Sequence, residues 1–344
     1  MPPSRPSVRL VWPGRPARQS VPAGDLRHVR GDDARVRLIH GDNAGTLRTL
    51  AKQGVRVALA YLDPPFFTGR EHTLVERNGG RTDERTRTAA FDDRWDSLEA
   101  YLESLVERVS LVHELLLPEG CLVLHVDSRT SHYLKVLCDE VFGVGSFASE
   151  IVWRYRRWPS KTKNFQRVHD VLLRYVRDPE AEPRFRQLYE PLAASTRATW
   201  GDRKQRAVVD PSGRRLRSST TAEATPGTPM GDVWDIGIVA PVAKERTGYP
   251  TQKPEALLER LITSLTDPGD LVLDPYLGSG TTSAVCARLD RRVIGVDLNR
   301  RAVSIAKKRL VALGVNAREE RLIEPDQAAP SGPAASPLGL AETA

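Results

Sequence analysis

Val55-Arg56-Val57-Ala58-Leu59-Ala60-Tyr61-Leu62-Asp63-Pro64-Pro65-Phe66 is the stretch on which the fold turns. Its apolar run, Val55 to Leu62, reads as a strand buried on both faces of a parallel sheet. Pro64 and Pro65 lack the N–H that a ladder needs, so the chain must leave the sheet there. That exit puts a carboxylate, a stiff turn and an aromatic ring at the C-terminal edge of the strands, where open α/β sheets bind ligands. Upstream, Val36 to His40 reads as a strand and Asn43 to Gln53 as a helix, so Asp42 falls on the same edge as Asp63. Taken alone, Asp-Pro-Pro is equally well read as the cap of a tight turn.

Far downstream, Asp270 to Asp274 reads as a short buried strand. It is followed by Pro275-Tyr276-Leu277-Gly278-Ser279-Gly280-Thr281-Thr282 and an apolar helical stretch from Ser283 to Leu289. Strand, glycine turn and helix N-terminus together aim backbone N–H groups at a small molecule. The next strand, Arg292 to Val296, ends in Asp297, about 20 residues past Asp274, a spacing at which an acid reaches ribose hydroxyls. A dinucleotide fingerprint would want a third glycine where Ser283 stands, and a phosphate loop would want Lys where Thr281 stands. Asp274 would repel a pyrophosphate and attract an ammonium or sulfonium. S-adenosylmethionine carries both cations and no phosphate.

Asp63 and Phe66 suit attack by an exocyclic nucleobase amine on an electrophilic methyl. The lone pair of that nitrogen is delocalised into the ring. A carboxylate and a turn carbonyl that accept both N–H bonds would draw it out of conjugation, while Phe66 stacks on an extruded base.

These motifs carry a family resemblance. Asp63-Pro64-Pro65-Phe66, the later Asp274 to Thr282 run, and Thr251-Gln252-Lys253-Pro254 before it resemble the beta class of DNA amino-methyltransferases, in which the catalytic motif precedes the cofactor motif. Trp12-Pro13-Gly14-Arg15, His40-Gly41-Asp42-Asn43 and Val233-Trp234-Asp235-Ile236 are similar to segments of type III modification subunits. The likeness runs from about Val11 to Leu313. It implies a Rossmann-like α/β fold with circularly permuted motif order, a seven-stranded sheet with one antiparallel strand, and a small inserted target-recognition region. Position by position, it implies that Asp63 and the Pro64 carbonyl accept from the target amine, within a motif completed by Pro65, and that Phe66 stacks. Asp274, Gly278, Gly280 and Thr281 would surround the methionine part of S-adenosylmethionine, Asp297 its ribose, Asp42 its adenine and Lys253 its carboxylate. Adenine N6 is the expected acceptor, since the N4-cytosine enzymes more often carry Ser at position 63.

Tyr101 to Leu117 reads as a helix, Gly120 to Asp127 as a buried strand, and Ser131 to Phe142 as another helix. Glu150 to Arg157 and His169 to Arg177 read as an antiparallel pair closing one edge of the sheet. His125 reads as a packed residue. Pro254 opens a helix with Leu257, Leu258, Leu261, Ile262 and Leu265 at helical spacing. Phe67 to Trp95 reads as a long functional loop that orders on binding. Arg154, Arg156, Arg157, Lys161, Lys163 and Phe165 interleave cations with rings, the composition that neutralises phosphate and stacks bases. Asp178 to Val239 lacks a clear period and is the expected recognition region, with Arg203, Lys204, Gln205 and Arg206 as candidate base contacts.

The 344 residues suffice for one large α/β domain with an insertion, and the net charge of +7 favours a polyanionic partner, double-stranded DNA. Arg far outnumbers Lys, a skew that GC-rich codons also produce, so clustering is the better guide. Cys121, Cys138 and Cys286 are isolated, which indicates neither a metal site nor a disulfide framework and fits a reducing cytosol; the expected location is cytoplasmic and nucleoid-associated. No membrane span or signal-peptide core is visible. The expected organisation is an N-terminal basic extension (1–30), a catalytic part (31–178), a recognition region (179–240), a cofactor-binding part (241–316) and a disordered tail (317–344). The expected function is site-specific DNA (adenine-N6) methyl transfer by base flipping, with an N4-cytosine enzyme, a non-catalytic DNA-binding module and a nicotinamide oxidoreductase as the alternatives. A homodimer and a restriction endonuclease partner are further expectations.

Overall fold

The computed structural model describes residues 9–15, 22–77, 85–159, 161, 163–216 and 218–324. Its strands are β1 (Asp25–Arg30), β2 (Asp33–His40), β3 (Val57–Leu62), β4 (Glu71–Arg77), β5 (Arg85–Asp92), β6 (Leu116–Val126), β7 (Phe147–Arg154) and β8 (His169–Val176). They continue with β9 (Tyr189–Glu190), β10 (Arg203–Arg206), β11 (Ser219–Ala224), β12 (Thr228–Pro229), β13 (Val233–Asp235), β14 (Leu271–Asp274), β15 (Arg292–Asp297) and β16 (Ala317–Ile323). The helices are α1 (Asn43–Lys52), α2 (Leu98–Leu115), α3 (Ser131–Phe142), α4 (Ala194–Trp200), α5 (Glu255–Leu265), α6 (Thr281–Arg288) and α7 (Arg300–Ala312).

Ten strands form one sheet in the order β1-β16-β2-β15-β14-β3-β6-β8-β7-β13. The late strands β14 and β15 lie between the early strands β2 and β3, so both ends of the chain build the centre. Every residue of β3 is buried, as a strand covered on both faces requires. β3 runs parallel to β14 on one side and to β6 on the other. Asp274 pairs with Gly295, and Asp297 with His40, across the ladders. The ends of β2, β15, β14 and β3, which carry or precede Asp42, Asp297, Asp274 and Asp63, therefore meet at one edge.

Two apolar cores fill the two faces. One packs Leu47 and Leu50 of α1 with Leu105, Val109 and Val112 of α2, and the other packs Leu257, Leu258, Leu261 and Ile262 of α5 against Val272, Val293 and Leu310. Each such side chain, fully buried, contributes about 1.5–3 kcal/mol.

Several expectations change. Two strands run against the others, β8 and β1, and the sheet has ten strands where the resemblance implied seven. The β7–β8 pair is antiparallel as expected, but β13 adds outside it, so part of the region assigned to recognition belongs to the central sheet. The remainder of that region makes two small ribbons, β10–β11 and β9–β12. The stretch from Phe67 to Trp95 is a hairpin, β4–β5, rather than a bare loop, with its tip outside the described residues. The chain assigned to a disordered tail from 317 instead forms β16, because Glu320, only 3 % exposed, is paired by Arg37; residues 325–344 lie outside the described residues. The basic extension likewise ends in β1, held on β16.

Candidate active site

A cleft of about 760 Å³ opens at the C-terminal edge of β2, β15, β14 and β3. Asp42, Asp63, Pro64, Pro65, Phe66, Lys253, Asp274, Gly278, Thr281 and Asp297 all line it.

The turn after β3 is held by two residues that the sequence did not single out. Tyr101 of α2 donates to the Pro65 carbonyl at 2.9 Å. Asp93, 1 % exposed, accepts from three successive backbone N–H groups, those of Phe66 (3.2 Å), Phe67 (2.9 Å) and Thr68 (2.8 Å). It also accepts from the Thr68 hydroxyl at 2.6 Å and the Trp95 indole at 3.3 Å. Phe67 sits at φ 58°, a left-handed conformation that costs a non-glycine residue about 1–3 kcal/mol, and the Asp93 contacts offset that strain.

Phe66 lies between two groups. Its ring centroid is 4.9 Å from the Lys253 ammonium and 5.6 Å from the ring of His125. His125 is fully buried, as expected of a packed residue, and bridges the Tyr61 hydroxyl (2.8 Å) to Asp170 (3.2 Å). Lys253 is 8 % exposed and donates to both oxygens of Asp63, each at 2.6 Å.

On the other side of the cleft, Gly278 at φ 50° donates its N–H to Asp297 at 2.8 Å, and the Asn299 N–H donates to the second oxygen at 2.8 Å. Burial pushes the Asp297 carboxyl up to about 6, against those two bonds. Asp274 is 2 % exposed and is pushed up to about 7, first by burial and then by the charges of Asp63 and Asp297, while the bonds from Thr282 and the Tyr276 N–H oppose the rise. A carboxyl so poorly compensated is a ready partner for a cation.

Gly280 does not line the cleft. At φ 74°, with Ala306 of α7 placed 2.5 Å from where a Cβ would stand, it lets α6 begin tight against α7. The Thr281 hydroxyl donates to the Lys253 carbonyl at 3.1 Å and so ties the glycine turn to the segment before α5. Asp42 caps α1 through the Gly45 N–H at 2.8 Å and pairs with Arg108 at 3.3 Å. Arg108 also binds Asn43, which reaches the Pro275 carbonyl at 3.0 Å, so α1, α2 and the glycine turn are knitted together. Arg108 was missed because its site partners come from other elements.

The β4–β5 hairpin closes one side. His72 and Phe91 stack at 4.4 Å within the cleft wall, and Asn299 donates to the Ala90 carbonyl at 2.5 Å.

The candidate DNA-contacting residues sit outside the cleft, Arg154 at the end of β7 and the others on the connection from β7 to β8. Arg154 is committed to Asp235 of β13 at 2.5 Å, and the Arg157 guanidinium lies 5.2 Å from the Tyr155 ring. Arg156, Lys161 and Lys163 are exposed; Trp158 and Phe165 are 92 % and 98 % exposed. The residues 203–206 form β10 and are exposed, with Lys204 paired to Glu223. Among the described residues no group of His, Cys, Asp and Glu is arranged to hold a metal, and no helix is long and apolar enough to cross a membrane.

Residues 57–308 match the family model described as DNA methylase. The chain belongs to this DNA methylase family. It is 28 % identical over 274 residues to type II methyltransferase M.HpaI of Haemophilus parainfluenzae, covering 80 % of this chain and 74 % of that one. It is 27 % identical over 282 residues to DNA adenine methyltransferase YhdJ of Escherichia coli K12, covering 81 % and 84 %. Among solved structures, the fold is similar to TTHA0409 of Thermus thermophilus (TM-score 0.51, 22 % identity, 84 % of this chain and all of that one). It is also similar to the PvuII DNA methyltransferase (cytosine-N4-specific), with TM-score 0.51 and 17 % identity over 80 % of this chain and 86 % of that one. At those identities the structural likenesses speak for the Rossmann-like methyltransferase fold alone.

Proposed function

We propose that this DNA methylase transfers a methyl group from S-adenosylmethionine to N6 of an adenine extruded from double-stranded DNA. The observation that carries the reading is the convergence of Asp63, Asp274, Asp297 and Asp42 from four neighbouring strand ends on one cleft. The donor set fits the cofactor, because a cation beside buried Asp274 would favour its ionised form and the Asp297 carboxylate suits ribose hydroxyls. When bound, S-adenosylmethionine supplies an electrophilic methyl on a sulfonium.

In this reading Asp63 and the Pro64 carbonyl accept the two N–H bonds of the amine, Pro65 stiffens the turn and Phe66 stacks on the base. Asp274, Gly278 and Thr281 serve the methionine end, with Gly280 acting through the helix junction; Asp297 serves the ribose, Asp42 the adenine and Lys253 the carboxylate. Rate comes from positioning and from polarising the amine. Arg156, Arg157, Lys161, Lys163 and Phe165 grip the duplex, with Arg154 as a weaker contributor because Asp235 already holds it. The name of YhdJ and the carboxylate at position 63 support adenine over cytosine.

The motif order supports a beta-class assignment with kinship to type III modification subunits. A homodimer, a restriction endonuclease partner and nucleoid association belong to the same proposal. Incubating the protein with duplex DNA and S-adenosylmethionine, then identifying modified nucleosides by mass spectrometry, tests it. N6-methyladenine is expected; N4-methylcytosine would replace the adenine reading, and unmodified DNA would overturn the activity.

A further inference from the structure

Lys253 makes a contact that the methyl-transfer reading does not use. Its ammonium is nearly buried and lies 2.6 Å from each oxygen of Asp63, the carboxylate assigned to polarise the amine. It also lies over the ring of Phe66, assigned to stack on the base. A carboxylate has about four acceptor sites, and an ammonium shared between both oxygens takes part of them and neutralises the charge that would draw on an amine N–H. Separating such a pair is costly unless another anion takes the cation. The backbone of Lys253 is meanwhile tied to the glycine turn by Thr281.

We propose that Lys253 is a positioning residue that couples the two substrates: it caps Asp63 until the carboxylate of the cofactor's methionine end draws its ammonium away, and only then does Asp63 accept the target amine. This rests on the function proposed above. The same movement frees the face of Phe66, so carboxylate and stacking ring become available together. Productive base capture then follows cofactor binding.

The test uses full-length protein and a duplex carrying 2-aminopurine at the methylated adenine, located by sequencing modified DNA. Base extrusion is read as 2-aminopurine fluorescence with saturating S-adenosylhomocysteine or its decarboxylated analogue, neither of which donates a methyl. We expect S-adenosylhomocysteine to favour the extruded state about tenfold, within the usual range of site coupling, and the decarboxylated analogue to leave it near the ligand-free level. In Lys253→Met, extrusion without any cofactor rises to the level that the wild-type protein reaches with S-adenosylhomocysteine. Equal responses to the two analogues in the wild-type protein would overturn the coupling, as would a folded Lys253→Met protein that still requires S-adenosylhomocysteine. If Lys253→Met does not fold, the wild-type pair of analogues decides alone. Absence of methyl transfer by the wild-type protein would instead mark failure of the underlying function.

Discussion

Asp93 shows what a single buried carboxylate does for the turn that carries Asp63 and Phe66 out of β3. Two prolines leave the sheet, and the next three N–H groups converge on Asp93. Each buried donor left unpaired costs about 1–3 kcal/mol, so Asp93→Ala should lower thermal stability measurably, and misplacing Asp63 should cost methyl transfer on the order of a hundredfold. Single-turnover transfer alongside a thermal melt checks both, and wild-type rates in that variant would contradict the assignment. The sequence showed Asp63 and Phe66 because proline marks their turn; Asp93 was hidden because its partners are backbone groups across a hairpin. Asp274 and Asp297 give a pH signature. Their native carboxyls, raised to about 7 and about 6, hold protons that the unfolded chain releases near pH 4, so their contribution to stability falls as pH rises from about 4 to 7. A bound cation favours the ionised form, so S-adenosylhomocysteine, through its ammonium, should bind more tightly from pH 5.5 to 8, by at most about tenfold per pH unit for each proton released. Calorimetry in buffers of different ionisation enthalpy reads that proton release; pH-independent affinity would exclude the role given to Asp274.

At the scale of elements, the glycine turn and the terminal strand make separate predictions. Gly280→Ala forces a methyl onto Ala306 at a left-handed φ, and should destabilise the chain by about 2–4 kcal/mol from strain and overpacking together. A denaturant titration reads that loss, and an unchanged midpoint would contradict the packing account. Ending the chain after residue 316 removes β16, on which β1 depends for its pairing, and should lower the melting temperature by more than about 5 °C, whereas an unchanged melt would mean that β16 contributes little. β3, β14 and β15 were legible because they are apolar and end in turn residues. β16 was not: Arg-Glu-Glu-Arg reads as a solvated run, and only ion pairs such as Arg37–Glu320 and Arg30–Glu319 allow it to be a strand. The β4–β5 hairpin reads as a loop in the sequence because its partners, Asn299 and Tyr249, lie far along the chain.

For the whole molecule, a sheet built from both chain ends means that neither half completes the cleft alone. β14 and β15 bring two carboxylates to the place where β2 and β3 bring the others. Outside the cleft, the exposed Lys161, Lys163, Trp158 and Phe165 form the basic, aromatic arm through which the protein would grip a duplex. Replacing Lys161 and Lys163 together by Ala should weaken DNA binding at every sequence and reduce the slope of log affinity against log salt by about 2, one for each phosphate no longer neutralised. Anisotropy titrations across a range of salt would measure it, and an unchanged slope would remove that arm from the interface. In the proposed reaction Asp63 polarises the target amine beside the cofactor. The most direct test is single-turnover methyl transfer to duplex DNA by Asp63→Ala, with S-adenosylhomocysteine affinity and thermal melting measured on the same preparation. A folded variant that binds the cofactor product but loses methyl transfer by about a hundredfold to a thousandfold is the predicted result, an effect of the size seen when a group stabilising the transition state is removed. A folded variant that methylates adenine near the wild-type rate would contradict the account.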